Sequence, residues 1–119
     1  MIKVLSPQEA KVELGKGALL VDVRELEEIE EFACDVPGTL AMPLSVFSDK
    51  CDELPKDRDL ILVCAGGGRS LYAATLLTKL GYERVANLDG GVFMWNSVGL
   101  PVKKAGAGAE SSVNSCKLW

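Results

Sequence analysis

Histidine is absent from this 119-residue chain. That absence removes Ser-His and Cys-His nucleophile pairs, histidine general acids and zincin-type metal sites together. No apolar run approaches the ~20 residues needed to span a bilayer. The first ten residues, MIKVLSPQEA, lack the apolar core of a signal peptide, so a cytoplasmic location and no membrane partner are expected. Positive charge is in deficit: 13 Lys and Arg against 17 Asp and Glu leave −4, which gives nucleic-acid binding no electrostatic support. Cysteine occurs four times, at Cys34, Cys51, Cys64 and Cys116, and never as CxxC. Neither a four-cysteine zinc site nor a disulfide framework is expected on that spacing. Chemistry is left to cysteine, carboxylate, Lys or Arg side chains and the backbone, with no metal and no cofactor.

What is present is globular. Hydrophobic residues make up 48% and charged residues 25%, proportions that fit one compact domain. A chain this long buries roughly 65% of its unfolded surface, enough for a core without staples. Apolar strands alternate with helix signals. Lys3–Leu5 reads as a strand, and Ser6-Pro7-Gln8-Glu9 opens a helix with a capping box that Gly15 and Gly17 stop. Ala18–Val23 reads as a buried strand, followed by a short acidic helix to about Phe32. The five glutamates between Glu25 and Glu31 read as a solvated helix face. A Pro37-Gly38 turn, a strand near Thr39–Met42 and a helix around Leu44–Lys50 come next. Leu60–Val63 is the clearest buried strand, and Ser70–Leu80 a helix offering Leu71, Ala74 and Leu77 to a core. Arg84–Leu88 gives a fifth strand and Val92–Val98 a last helix. Such alternation predicts an α/β fold: a mainly parallel five-stranded sheet with helices on both faces. Residues 1–102 form the domain on this reading. Residues 103–119, rich in Gly, Ala and Ser, form a flexible C-terminal tail that docks only by Leu118 and Trp119.

The segment LILVCAGGGRSL, Leu60–Leu71, carries the chemistry. Cys64 ends the best central strand, where open parallel sheets place their ligand sites. Ala65, Gly66, Gly67 and Gly68 follow, then Arg69 and Ser70 at the mouth of a helix. Three successive glycines cost backbone entropy, and their use is to let N–H groups converge into an anion nest. The helix start adds its positive end to the same point, pushing a thiol there towards thiolate. A cation such as Arg69 at a helix start is disfavoured unless an anion compensates it. The loop fits neither GxxxxGK[ST] nor GxGxxG.

This sequence resembles the single-domain rhodaneses over roughly residues 1–102. CAGGGRS looks like the rhodanese active-site loop, a Cys followed by four residues and Arg. LLVDVRE (Leu19–Glu25) is similar to the family's Asp-x-Arg strand end, and DVPGTLAMPL (Asp35–Leu44) to its proline-glycine turn. LDGGVFMWNSVGLPV (Leu88–Val102) resembles its closing Gly-Gly, Trp, Gly-x-Pro segment. The resemblance implies a single rhodanese-like domain and a sulfurtransferase in which Cys64 carries a persulfide, with Ala65–Ser70 binding the transferred sulfur and donor. It implies a small sulfane-sulfur donor, such as thiosulfate or a persulfide or polysulfide. The acceptor would be a thiol or cyanide, with a sulfur-carrier protein as a further partner and the chain acting as a monomer. Sulfite is already a good leaving group, so this chemistry runs without the missing histidine, whereas acyl transfer needs a base. Cysteine phosphatases of related fold place one more residue between Cys and Arg and need a general acid; only four residues separate Cys64 from Arg69.

Two departures bear on substrate. Many thiosulfate-using rhodaneses carry Arg or Lys inside the loop, where this chain has Ala65 and glycines, so weak thiosulfate use is expected and better use of persulfides. Where the family often has Gly-His, this chain has Cys34-Asp35, with Asp35 expected to cap the turn. Asp22 and Arg24 are assigned to structural support and Trp95 to the core. Cys34 and Cys51 are assigned as ordinary cysteines and Cys116 as an incidental surface thiol. The alternative from another class is a noncatalytic rhodanese-like module for protein binding or sulfur-carrier docking; retention of the cysteine favours the enzyme.

Overall fold

A computed structural model describes residues 2–104. In chain order the elements are β1 (Lys3–Leu5), α1 (Pro7–Gly15), β2 (Leu19–Asp22), α2 (Leu26–Glu31), β3 (Phe32–Cys34) and β4 (Leu40–Ala41). Next come α3 (Leu44–Lys50), a single 3-10 turn (Cys51–Glu53), β5 (Leu60–Val63), α4 (Gly68–Lys79), β6 (Val85–Leu88), α5 (Gly91–Ser97) and β7 (Val102–Lys104).

All four residues of β2, β5 and β6 are buried, so these strands must be covered on both faces. The sheet order is β1-β6-β5-β2-β4, with every pairing parallel. One core packs Leu19, Val21, Leu60 and Leu62 against Phe47 of α3 and Ala73, Ala74 and Leu77 of α4. The other packs Leu20, Ile61, Val63, Ala86 and Leu88 against Ala10 of α1 and Val92 and Trp95 of α5. The predicted α/β architecture, a five-stranded parallel sheet with helices on both faces, is the one observed. Register then sets the site: Asp22 lies level with Val63, and Asn87 level with Leu62, so the carboxyl ends of β2, β5 and β6 come side by side.

Local signals hold where their chemistry is complete. Ser6 Oγ accepts from the Glu9 amide at 3.1 Å, and Glu9 accepts from the Ser6 amide at 2.9 Å, closing the capping box. Trp95 is buried in the core, as assigned. Three expectations are corrected. Helix α4 begins at Gly68 rather than Ser70, because Gly67 at its N-cap takes φ +114 and turns the chain two residues earlier. Leu71 sits 45% exposed, while Ala74 and Leu77 are buried. The ordered chain also runs past residue 102: β7 includes Lys103 and Lys104 and pairs antiparallel with β3 in a second, two-stranded sheet. The rest of the expected tail, with Cys116, Leu118 and Trp119, lies outside the described residues. No helix among the described residues is long and apolar enough to cross a membrane.

Candidate active site

Cys64 follows β5 directly and is 1% exposed, with its sulfur facing the loop that leads into α4. The Gly67 amide donates to Sγ at 3.0 Å, and Ser70 Oγ lies 3.3 Å from it. Burial pushes the thiol up. The Ser70 hydroxyl and the amides of Ser70, Gly67 and Gly66 outweigh it, leaving the thiol below its ordinary value. The expected nest therefore exists, built from α4's first turn and the loop.

The loop holds this shape because its carbonyls are tied down from behind. Val92 donates its amide to the Cys64 carbonyl at 2.9 Å, and Phe93 donates to the Ala65 carbonyl at 3.1 Å. These are the free amides at the start of α5, which need acceptors in any case. Gly91 permits the approach. It takes φ +61, and a Cβ there would collide with both the Cys64 and Ala65 carbonyls. The Gly67 carbonyl is held by Asn87 Nδ2 at 3.1 Å and by the Leu71 amide at 3.2 Å. With these carbonyls turned away, the amides of Gly66, Gly67 and Ser70 face the sulfur. Among the three loop glycines only Gly67 needs its residue type for conformation; Gly66 and Gly68 have negative φ and open space where a side chain would start.

Arg69 does not stand free. Its two terminal guanidinium nitrogens donate to Glu28 at 2.8 Å each, a two-pronged pair between α4 and α2. The Arg69 guanidinium holds the Glu28 carboxyl at about 2, despite partial burial that works the other way. The anion that Arg69 requires at its helix start is thus a side chain of this chain. Glu28 was read as part of a solvated face, and that reading is corrected: it bridges α2 to the loop and also accepts from the Glu25 amide at 3.1 Å. Below the site Asp22 and Arg24 form the assigned structural pair, both buried. Arg24 Nε donates to Asp22 Oδ1 at 3.0 Å and Nη2 to Oδ2 at 2.8 Å. Asp35 does not cap the turn; its carboxylate lies 3.9 Å from Lys103 Nζ, while Thr39 Oγ1 closes the turn onto the Val36 carbonyl. Lys104 sits over the Phe32 ring at 5.7 Å.

The rhodanese-like domain family profile matches residues 6–98, most of the chain. The chain belongs to that family. A protein named sulfurtransferase from Allochromatium vinosum is 40% identical over 87 residues, which cover 73% of this chain and 79% of that protein. A protein named thiosulfate sulfurtransferase GlpE, from Pseudomonas syringae pv. syringae, is 30% identical over 95 residues, 80% of this chain and 88% of that one. The rhodanese-related protein of Thermoplasma volcanium superposes with a TM-score of 0.77 at 26% identity, covering 85% of this chain and 97% of that one. Sulfur transfer in general is the activity these relatives support.

Within the rhodanese-like frame, Cys64, Ala65, Gly66, Gly67, Gly68, Arg69 and Ser70 come together on one loop and helix start, with Asp22 and Arg24 at the neighbouring strand end. Cys34 and Cys51 are both buried, and burial is the main cause pushing each thiol up, Cys34 to about 12. Sequence reasoning passed over Glu28 and Asn87. A polar amide inside the buried run Val85–Leu88 was the available signal for Asn87.

Proposed function

We propose that this rhodanese-like domain is a sulfurtransferase in which Cys64 carries the sulfur as a persulfide. The Cys64 thiolate attacks the outer sulfur of the donor. The sulfur–sulfur bond of the donor breaks and its electron pair leaves with the departing thiolate, or with sulfite when the donor is thiosulfate. The terminal sulfur of the persulfide takes the negative charge. A thiolate or cyanide acceptor then attacks that sulfur and restores the Cys64 thiolate. The observation that carries this reading is a buried thiol met by the Gly67 amide at 3.0 Å and the Ser70 hydroxyl at 3.3 Å; against burial, these groups and the neighbouring amides favour a sulfur anion without a general acid.

We further infer that persulfides and polysulfides are better donors than thiosulfate. A sulfonate needs cationic side chains; the loop offers Ala65 and glycines, and Arg69 is already held by Glu28. The relative named for thiosulfate makes this a direct comparison of two donors. The test is intact mass of the wild type and Cys64→Ser after a polysulfide pulse, then again after a thiol acceptor is added. One sulfur should appear on the wild type alone and leave with the acceptor. A sulfur that loads and does not leave identifies a carrier rather than an enzyme, and loading on Cys64→Ser removes the reading.

A further inference from the structure

Ser70 is fully buried and its hydroxyl has a single hydrogen, yet three acceptors lie within reach. They are Asn87 Oδ1 at 2.5 Å, the Gly67 carbonyl at 3.2 Å and Cys64 Sγ at 3.3 Å. The Gly67 carbonyl can only accept, so the Asn87 nitrogen faces it and the Asn87 oxygen faces Ser70. That oxygen can also only accept, so Ser70 donates to it and turns a lone pair towards the Cys64 thiol hydrogen. An ionised sulfur has no hydrogen to give and becomes a charged acceptor, which competes for the same hydroxyl hydrogen with a stronger bond. Asn87 is 6% exposed in a strand of Val, Ala and Leu, where packing alone calls for an apolar residue.

We propose that Asn87 is a positioning residue for the nucleophile: it holds the Ser70 hydroxyl hydrogen while Cys64 is a thiol and yields it when Cys64 is an anion. The proposal rests on Cys64 being the sulfur-bearing group. On ionisation the thiol proton passes to solvent water, the Ser70 hydroxyl rotates to the sulfur and keeps its hydrogen, and no other bond changes. The charged groups on the strand ends, turn and helices that flank the loop are Arg69 on α4 with Glu28 on α2, Asp22 and Arg24 at the end of β2, and Asp89 in the turn before α5. The variants below leave all of them in place.

The experiment follows alkylation of Cys64 in the full chain against pH, read by peptide mass so that other cysteines do not contribute. Asn87→Leu removes the competing acceptor and lowers the midpoint by roughly half to one pH unit, the worth of one neutral hydrogen bond. In a Ser70→Ala background the same change produces no downward shift, because there is no hydroxyl to release. Asn87→Asp adds a negative charge as well as a stronger acceptor, so repulsion alone raises the midpoint. The part that belongs to the hydroxyl is the amount by which the rise shrinks in the Ser70→Ala background, and that difference keeps the idea open to refutation if the leucine variant fails to fold. An unchanged midpoint in both variants, or an equal shift with and without Ser70, overturns the proposal. Failure of the sulfurtransferase reading looks different: no sulfur mass appears on the wild-type Cys64, while the midpoints still move.

Discussion

Glu28 joins α2 to the start of α4 through Arg69, and its carboxyl stays ionised down to about pH 2 against an ordinary 4.5. A carboxyl lowered on folding adds stability that is complete above 4.5 and drains as pH falls towards 2. The side chains of Arg69 and Glu28 are 41% and 37% exposed, so solvent screens the pair and its contribution is small. Unfolding midpoints should fall across that window, and Glu28→Gln should flatten part of the fall; the same acid slope in the variant would set the pair aside. The variant has a second consequence. It releases the Arg69 guanidinium, the cation nearest the loop in sequence, for a sulfonate, so the KM for thiosulfate should drop by about tenfold, one charge-assisted hydrogen bond, while persulfide kinetics stay put. An unchanged KM would show that the guanidinium does not reach the donor. At this scale Cys64 was legible because strand end, glycines and helix start are contiguous in the chain. Glu28 was not, because its partner lies forty-one residues away and a run of glutamates looks alike from every position.

At the scale of elements, α5 matters less for its own residues than for the amides at its start, which fix the loop carbonyls of Cys64 and Ala65. Gly91→Ala should push that start away. A cost of roughly 1–3 kcal/mol is the usual range for a misfit methyl, with a lower unfolding midpoint and slower Cys64 alkylation together. Gly67→Ala is strained by φ +114 and should behave likewise, whereas Gly66→Ala, facing open space, should leave the midpoint unchanged. Equal effects at Gly66 and Gly67 would mean that the loop does not have this conformation. Element boundaries were legible in proportion to their chemistry. The capping box marked the start of α1 unambiguously. The start of α4 was hidden by Gly67, whose left-handed turn has no side-chain signature among three glycines. Strands β3 and β7 are three residues each, one of them Val-Lys-Lys, too short for any period to show.

For the molecule as a whole, the alternation of strand and helix was enough to foresee the parallel sheet and its two cores. The small β3–β7 sheet was not, because its paired residues, such as Ala33 and Lys103, lie about seventy positions apart in the chain. It covers Cys34, which is 3% exposed and whose thiol burial pushes up to about 12. A chain ending at Pro101 should therefore expose Cys34 to a thiol reagent near neutral pH, while the full chain labels there slowly; equal labelling would show that β7 adds no cover. The last consequence belongs to the anchored loop. Gly67, Gly66 and Ser70 meet the sulfur through main-chain N–H groups, which every residue but proline possesses. At Gly66 and Gly68 a new side chain would begin in open space and leave the amide in place. On the proposed reading, the reaction and the choice of reactant are thereby encoded in separate parts of one seven-residue segment, Cys64–Ser70. If sulfur transfer runs as proposed, side chains introduced at Gly66 or Gly68 should change which donor is taken while the amides that meet the sulfur stay in place.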